Sequence, residues 1–228
     1  LADSGFGAFS EFVSAKASIL SKKPSNLSYL ESAALPLASV TALQGIRDAG
    51  RLKAGEKVLI LGASGGVGTY AVQLSKYFGG EITAVTSKRN ESQARSLGAT
   101  EVLDYKTMEF EKLIGSYDLI LAINGYYPVK LVKDLLKPQG RFVLIGSSST
   151  KELLKMSIFG SLLSQKEGKS YQVLMAKPSG KDLAFIAKLA EEGAITPILA
   201  KEIPFEKIPE GIKELSEGHV SGKIVSKP

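Results

Sequence analysis

The chain has 228 residues, 44% hydrophobic and 23% charged, with a net charge of +6, no cysteine and one histidine, His219. That length and apolar fraction suffice for a sizeable core, and the missing cysteines exclude disulfides, thiolate ligands and any zinc site of the usual Cys/His kind built from these residues. No apolar run reaches the ~18 residues of a membrane span, and the opening Leu-Ala-Asp-Ser-Gly-Phe has neither the basic nor the apolar region of a secretory leader. A cytoplasmic protein with no membrane partner is expected.

Taken in chain order, residues 1–37 hold an alternating stretch, Phe9 to Val13, then a Lys22-Lys23-Pro24 loop and a helix start at Ser28 to Glu31 with capping-box spacing. Short β-branched runs follow at 58–62, 82–86, 118–123, 141–146 and 172–175, with a weaker one at 101–103. They are apolar almost throughout, as strands covered on both faces are. Helix-length segments separate them: Gly68 to Phe78, Glu91 to Leu97, Val129 to Leu136 and Glu152 to Leu163. This alternation predicts right-handed βαβ units and a parallel, doubly wound α/β sheet. The tail adds a helix at Lys181 to Glu192, an extended Lys201 to Phe205, a short helix at Pro209 to Glu217 and a last strand, Lys223 to Ser226. Two isolated strands are marginal alone, so the chain ends either pair with each other or with a part of the protein this sequence lacks.

Within this scaffold, Gly62-Ala-Ser-Gly65-Gly66-Val67-Gly68 follows a strand and opens a helix. Glycine there permits the tight turn, lets backbone N–H groups approach a pyrophosphate, and leaves room for helix against strand. The helix N-terminus then meets the anion with unpaired donors and about half a positive charge. Any tight strand–helix turn favours glycine, but strand, glycines and helix in this order point to dinucleotide binding. Thr-Tyr-Ala after the last glycine excludes a nucleotide-hydrolysing P-loop.

About 20 residues on, an NAD site offers an acid to the adenosine ribose, whereas an NADP site must accommodate a 2′-phosphate. Thr86-Ser87-Lys88-Arg89-Asn90 stands here instead. A carboxylate would repel the phosphate; a hydroxyl and two cations attract it, so the expected cofactor is NADPH. The overall positive charge suits such an anion, although lysines on solvated helix faces produce the same balance. Nucleic acid is not an expected partner, because Lys130, Lys133, Lys137 and Arg141 have only Tyr126, Tyr127 and Phe142 near them.

Several ordered motifs together resemble the zinc-free quinone oxidoreductase (zeta-crystallin-like) branch of the medium-chain dehydrogenase/reductases. They are Leu35 to Leu43, Leu52 to Val58, the glycine cluster, Ser87 to Asn90, Leu97-Gly-Ala99, Val102 to Tyr105, Leu136 to Phe142 and Glu217 to Val225. The resemblance implies a Rossmann NADPH-binding domain at 38–180 between two parts of a GroES-like catalytic domain, 1–37 and 181–228, with the larger first part of that domain, and most substrate-facing residues, upstream of this sequence. It places Tyr105 beside the 2′-phosphate with Ser87. At Asn90 some relatives carry a lysine, which leaves Lys88 or Arg89 to supply the cation. Thr41 matches a threonine against the nicotinamide, Gly146-Ser147 a strand end holding its carboxamide, and Asn124 and Lys223 positions of ribose or pyrophosphate contact. Gly65, Gly66 and Val67 complete the cofactor set; no catalytic residue and no metal ligand is identified, and His219 reads as a loop or cap residue.

The implied reaction is hydride transfer from NADPH to a small quinone or α,β-unsaturated carbonyl. An enoyl-thioester reductase is the alternative, although those carry a lysine where Ser147 stands, and a non-catalytic NADPH-binding module or fragment is the third reading. Finally, the apolar run Gln172 to Met175 reads as a sheet edge through which a homodimer would form.

Overall fold

Strand β1 (Lys57–Leu61) is buried at every position after its first residue, and the runs on either side of it in the sheet are nearly as apolar. In the computed structural model, which describes residues 9–10, 12–123, 128–146, 168–218 and 220–227, β1 lies between β2 (Glu81–Thr86) and β4 (Tyr117–Ala122). With β3 (Glu101–Asp104), β5 (Leu136–Leu144) and β6 (Ser170–Val173) these form a six-stranded parallel sheet in the order β3-β2-β1-β4-β5-β6. The chain moves outward through β2 and β3, then returns to lay β4 against the other side of β1. That reversal is the switch point at which open α/β sheets hold ligands, beyond the carboxyl ends of the strands.

Alternate strand residues feed two apolar layers. Val58, Ile60, Ile82, Leu119, Leu121 and Val143 meet one face, covered by α2 (Pro36–Leu43), α3 (Gly68–Tyr77) and α6 (Gly180–Glu191) through Leu43, Tyr70, Leu74, Ile186 and Leu189. Leu59, Leu61, Ile120, Phe142 and Leu144 meet the other with Val132 and Leu135 of α5 (Val129–Leu135). α1 (Tyr29–Ala33) begins with the expected capping box: Glu31 N–H donates to Ser28 Oγ at 3.2 Å and Ser28 N–H to Glu31 Oε2 at 2.8 Å. α4 (Glu91–Leu97) has the expected bounds.

The tail forms a separate pair, β7 (Leu199–Pro204) parallel to β8 (Lys223–Lys227), joined through α7 (Ile208–Ser216). It is fastened to the glycine turn, where Gly222 N–H donates to Ser64 O at 3.0 Å. Gly222 has φ +102, and a Cβ there would stand 2.4 Å from Ile198 O, so the fastening requires glycine.

Three expectations are corrected. Phe9 to Val13 forms no strand among the described residues; Phe9 and Phe12 are exposed, and the segment instead continues to a 3₁₀ turn, Ala17–Ile19, against the start of α6. β5 starts at Leu136 rather than Arg141, because Gln139 takes φ +63 and carries the chain through Pro138-Gln139-Gly140 without leaving the strand. β6 covers Ser170–Val173 rather than 172–175. The helix expected at 152–163 lies outside the described residues.

Candidate dinucleotide site

The first wall of the site is the turn out of β1. Gly62 takes φ +88, which side chains disfavour. Gly68, the first residue of α3, sits so close to the strand that a Cβ would be 2.2 Å from Gly62 O. The helix N-cap, Val67, makes no side-chain capping bond, and it lines the cavity with Gly65 and Gly66, so the start of a ten-residue helix borders the space an anion would occupy.

The second wall is the end of β2 and the turn after β3. Ser87 leads into a 3₁₀ turn, Lys88–Asn90, and Tyr105 N–H donates to Thr86 O at 3.2 Å, which brings the half-exposed tyrosine beside Ser87. Asn90 Nδ2 donates to Ser87 Oγ at 3.2 Å, while Asn90 Oδ1 accepts from Ser221 Oγ at 3.0 Å. The third wall is therefore the tail segment 220–224, which crosses above the glycine turn.

Together these walls enclose a cavity of about 710 Å³ whose lining, among the described residues, includes Arg89, Lys106 and Lys223 and no carboxylate. Lys223 is the most informative of the three. Burial pushes its ammonium below the ordinary lysine value, and among the described residues no acid offsets this and nothing pairs with it. Lys223 is half-buried, and drawing a charge out of water without a partner is costly; the pyrophosphate of a dinucleotide is a group of the chemistry needed to offset it. The glycine turn, the open helix end and this ammonium therefore fit a dinucleotide.

The cavity brings together Gly65, Gly66, Val67, Ser87, Arg89, Asn90, Tyr105 and Lys223. Lys88 does not join them; it lines an adjoining cavity of about 470 Å³ with Glu91, Glu101 and Asp104, so Arg89 is the cation of the 86–90 turn in the larger wall. Thr41 is buried in α2 with Oγ1 donating to Leu37 O at 2.7 Å and does not line the cavity. Gly146 stands behind it, where a Cβ would be 2.5 Å from Ile123 O. Asn124, Ser147 and His219 lie outside the described residues. Lys106, Ser221 and Gly222 also line the cavity; the last two fall within the Glu217 to Val225 motif beside Lys223, and no sequence signal marks Lys106.

Residues 97–225, more than half of the chain, match the zinc-binding dehydrogenase family. The chain belongs to that family. Its likeness to the mitochondrial NAD(P)H oxidoreductase RTN4IP1 of Bos taurus is 34% identity over 96% of the chain and 61% of the relative. To the chloroplast envelope quinone oxidoreductase homolog of Arabidopsis thaliana it is 32%, over 98% of the chain and 70% of the relative. The quinone oxidoreductase structure from Coxiella burnetii superposes with a TM-score of 0.78 at 27% identity, covering 91% of this chain and 63% of that one. This zinc-binding dehydrogenase chain thus spans about three-fifths of the bovine relative's length. The medium-chain fold and the NAD(P)H and quinone oxidoreductase kinship inferred from its motifs are those of its relatives. The cytoplasmic assignment is overturned, because these relatives are named mitochondrial and chloroplast proteins.

Proposed function

We propose that the cavity holds NADPH in preference to NADH, and that the chain is the coenzyme half of a zinc-independent reductase of quinones or α,β-unsaturated carbonyls. The observation that supports this is the lining: a glycine turn, the Ser87, Arg89 and Tyr105 wall, and, among the described residues, three cations and no carboxylate. Gly65, Gly66, Val67 and Lys223 would hold the pyrophosphate, and Ser87, Arg89 and Tyr105 the 2′-phosphate. The bound coenzyme supplies hydride.

What these residues contribute is position and field. Backbone donors and Lys223 fix one end of the ligand, and the end of β2 fixes the other, so the reactive ring has little freedom left. A conjugated acceptor spreads the incoming negative charge over its own oxygen, and a proton can follow from water, so the reaction makes no demand for a metal.

The test is a titration of the purified chain with NADPH and NADH, followed by NADPH oxidation with 1,4-benzoquinone and with a simple enone. Tighter NADPH binding supports the reading. Tighter NADH binding, or no binding of either, overturns it.

A further inference from the structure

Asn90 is suspended between hydroxyls on opposite walls of the cavity. Ser221 Oγ donates to Asn90 Oδ1 at 3.0 Å, and Asn90 Nδ2 donates to Ser87 Oγ at 3.2 Å and reaches Thr86 Oγ1 at 3.5 Å. A hydroxyl has one proton and two lone pairs. Because Ser87 accepts from the amide, its own proton remains available to whatever occupies the cavity. A phosphate dianion can only accept, whereas a ribose hydroxyl can donate or accept, so the direction of this relay matters to one ligand far more than to the other.

We propose that Ser221 is a positioning residue for coenzyme choice: it holds the Asn90 amide in the orientation that leaves Ser87 as a donor toward the 2′-phosphate of NADPH. The proposal rests on the NADPH reading above. Without Ser221 the amide oxygen loses its donor on the tail side. Turning the amide over then lets Ser87 spend its proton on Asn90 Oδ1 and show the cavity only lone pairs, which repel a phosphate. Ser221 is not required to hold the tail in place, since Gly222 N–H to Ser64 O at 3.0 Å, Lys223 N–H to Ile198 O at 2.8 Å and the β7–β8 ladder do that.

The experiment compares dissociation constants for NADPH and NADH in the full chain, in Ser221→Ala and in Ser221→Thr, which keeps the hydroxyl. Loss of one hydrogen bond to a charged group predicts NADPH binding weakened about tenfold to a hundredfold in Ser221→Ala, with NADH binding within about twofold of the starting value and the NADPH preference restored in Ser221→Thr. Equal weakening of both coenzymes would assign Ser221 to tail placement and overturn the relay, as would no change in either. A starting chain that does not prefer NADPH overturns the cofactor reading itself and the relay with it. A preference that survives Ser221→Ala intact overturns the relay alone.

Discussion

The Lys223 side chain lies across Gly66: a methyl group built on Gly66 would fall 2.7 Å from Lys223 Cδ and 3.4 Å from its Nζ. The nearest obstructed atom belongs to a flexible side chain, which can swing aside, and the one backbone atom nearby, Gly222 O at 3.3 Å, needs to give by only a few tenths of an ångström. What moves with it is the ammonium assigned to the pyrophosphate. Gly66→Ala should therefore lower NADPH affinity about tenfold, the loss of roughly 1.4 kcal/mol that one misplaced charge contact entails, while Tm changes by less than about 2 °C. Calorimetric titration beside a thermal scan checks both, and an unchanged affinity would detach Lys223 from the ligand.

Two residues on, the same substitution has the opposite signature. A Cβ on Gly68 meets backbone, Gly62 O at 2.2 Å and Ala63 C at 2.6 Å, and neither can move without separating β1 from α3. Gly68→Ala should cost about 2 kcal/mol of stability, or about 4–8 °C in Tm at this chain length. A thermal scan matching the parent would show that the strand and helix have more room than this contact allows.

How much of this the sequence discloses depends on how local each determinant is. β1, β2 and β4 are apolar almost throughout because both faces are covered, and the glycine turn declares itself by its place between a strand and a helix. The failed strand at Phe9 to Val13 shows the limit: alternation says which face a strand could bury, never that a partner strand is beside it. Pro138-Gln139-Gly140 reads as a break between elements, and only the pairing of Leu136 with Tyr117 and of Arg141 with Leu119 makes it part of β5. Asn90 and Ser221 are 131 residues apart. Nothing at either position announces the other, so the relay becomes visible only once the tail is seen crossing the cavity.

Lys223 also links ligand binding to pH. Burial lowers its pKa in the folded chain relative to the ordinary 10.5, so the unfolded chain binds the proton more tightly. Stability then rises with pH between the depressed folded value and 10.5, and the charged form is a burden on the apo protein below that window. Lys223→Met should accordingly raise the apo Tm at neutral pH by about 1–3 °C, while lowering NADPH affinity about tenfold or more. The parent's advantage should return when NADPH is saturating, because a bound anion removes the penalty. A variant with both lower apo stability and unchanged affinity would contradict the assignment.

The outer edge of β6 raises the matter of assembly. β6 pairs with β5 alone among the described strands, and Leu174 N–H, donating to Leu144 O at 2.9 Å, faces β5. By the two-residue alternation of a strand, the Val173 N–H points to the open side. Met175, just beyond, is 78% exposed. An edge strand with no second neighbour among the described strands, ending in an exposed apolar side chain, is a template for a second copy, and a homodimer joined along β6 is proposed. Light scattering should give twice the chain mass, and Val173→Pro, which removes an outward donor while leaving the Leu174 bond to β5 in place, should give the monomer with most of the parent's Tm. A parent chain that is monomeric at assay concentration would refute edge pairing, and a Val173→Pro dimer would move the interface elsewhere.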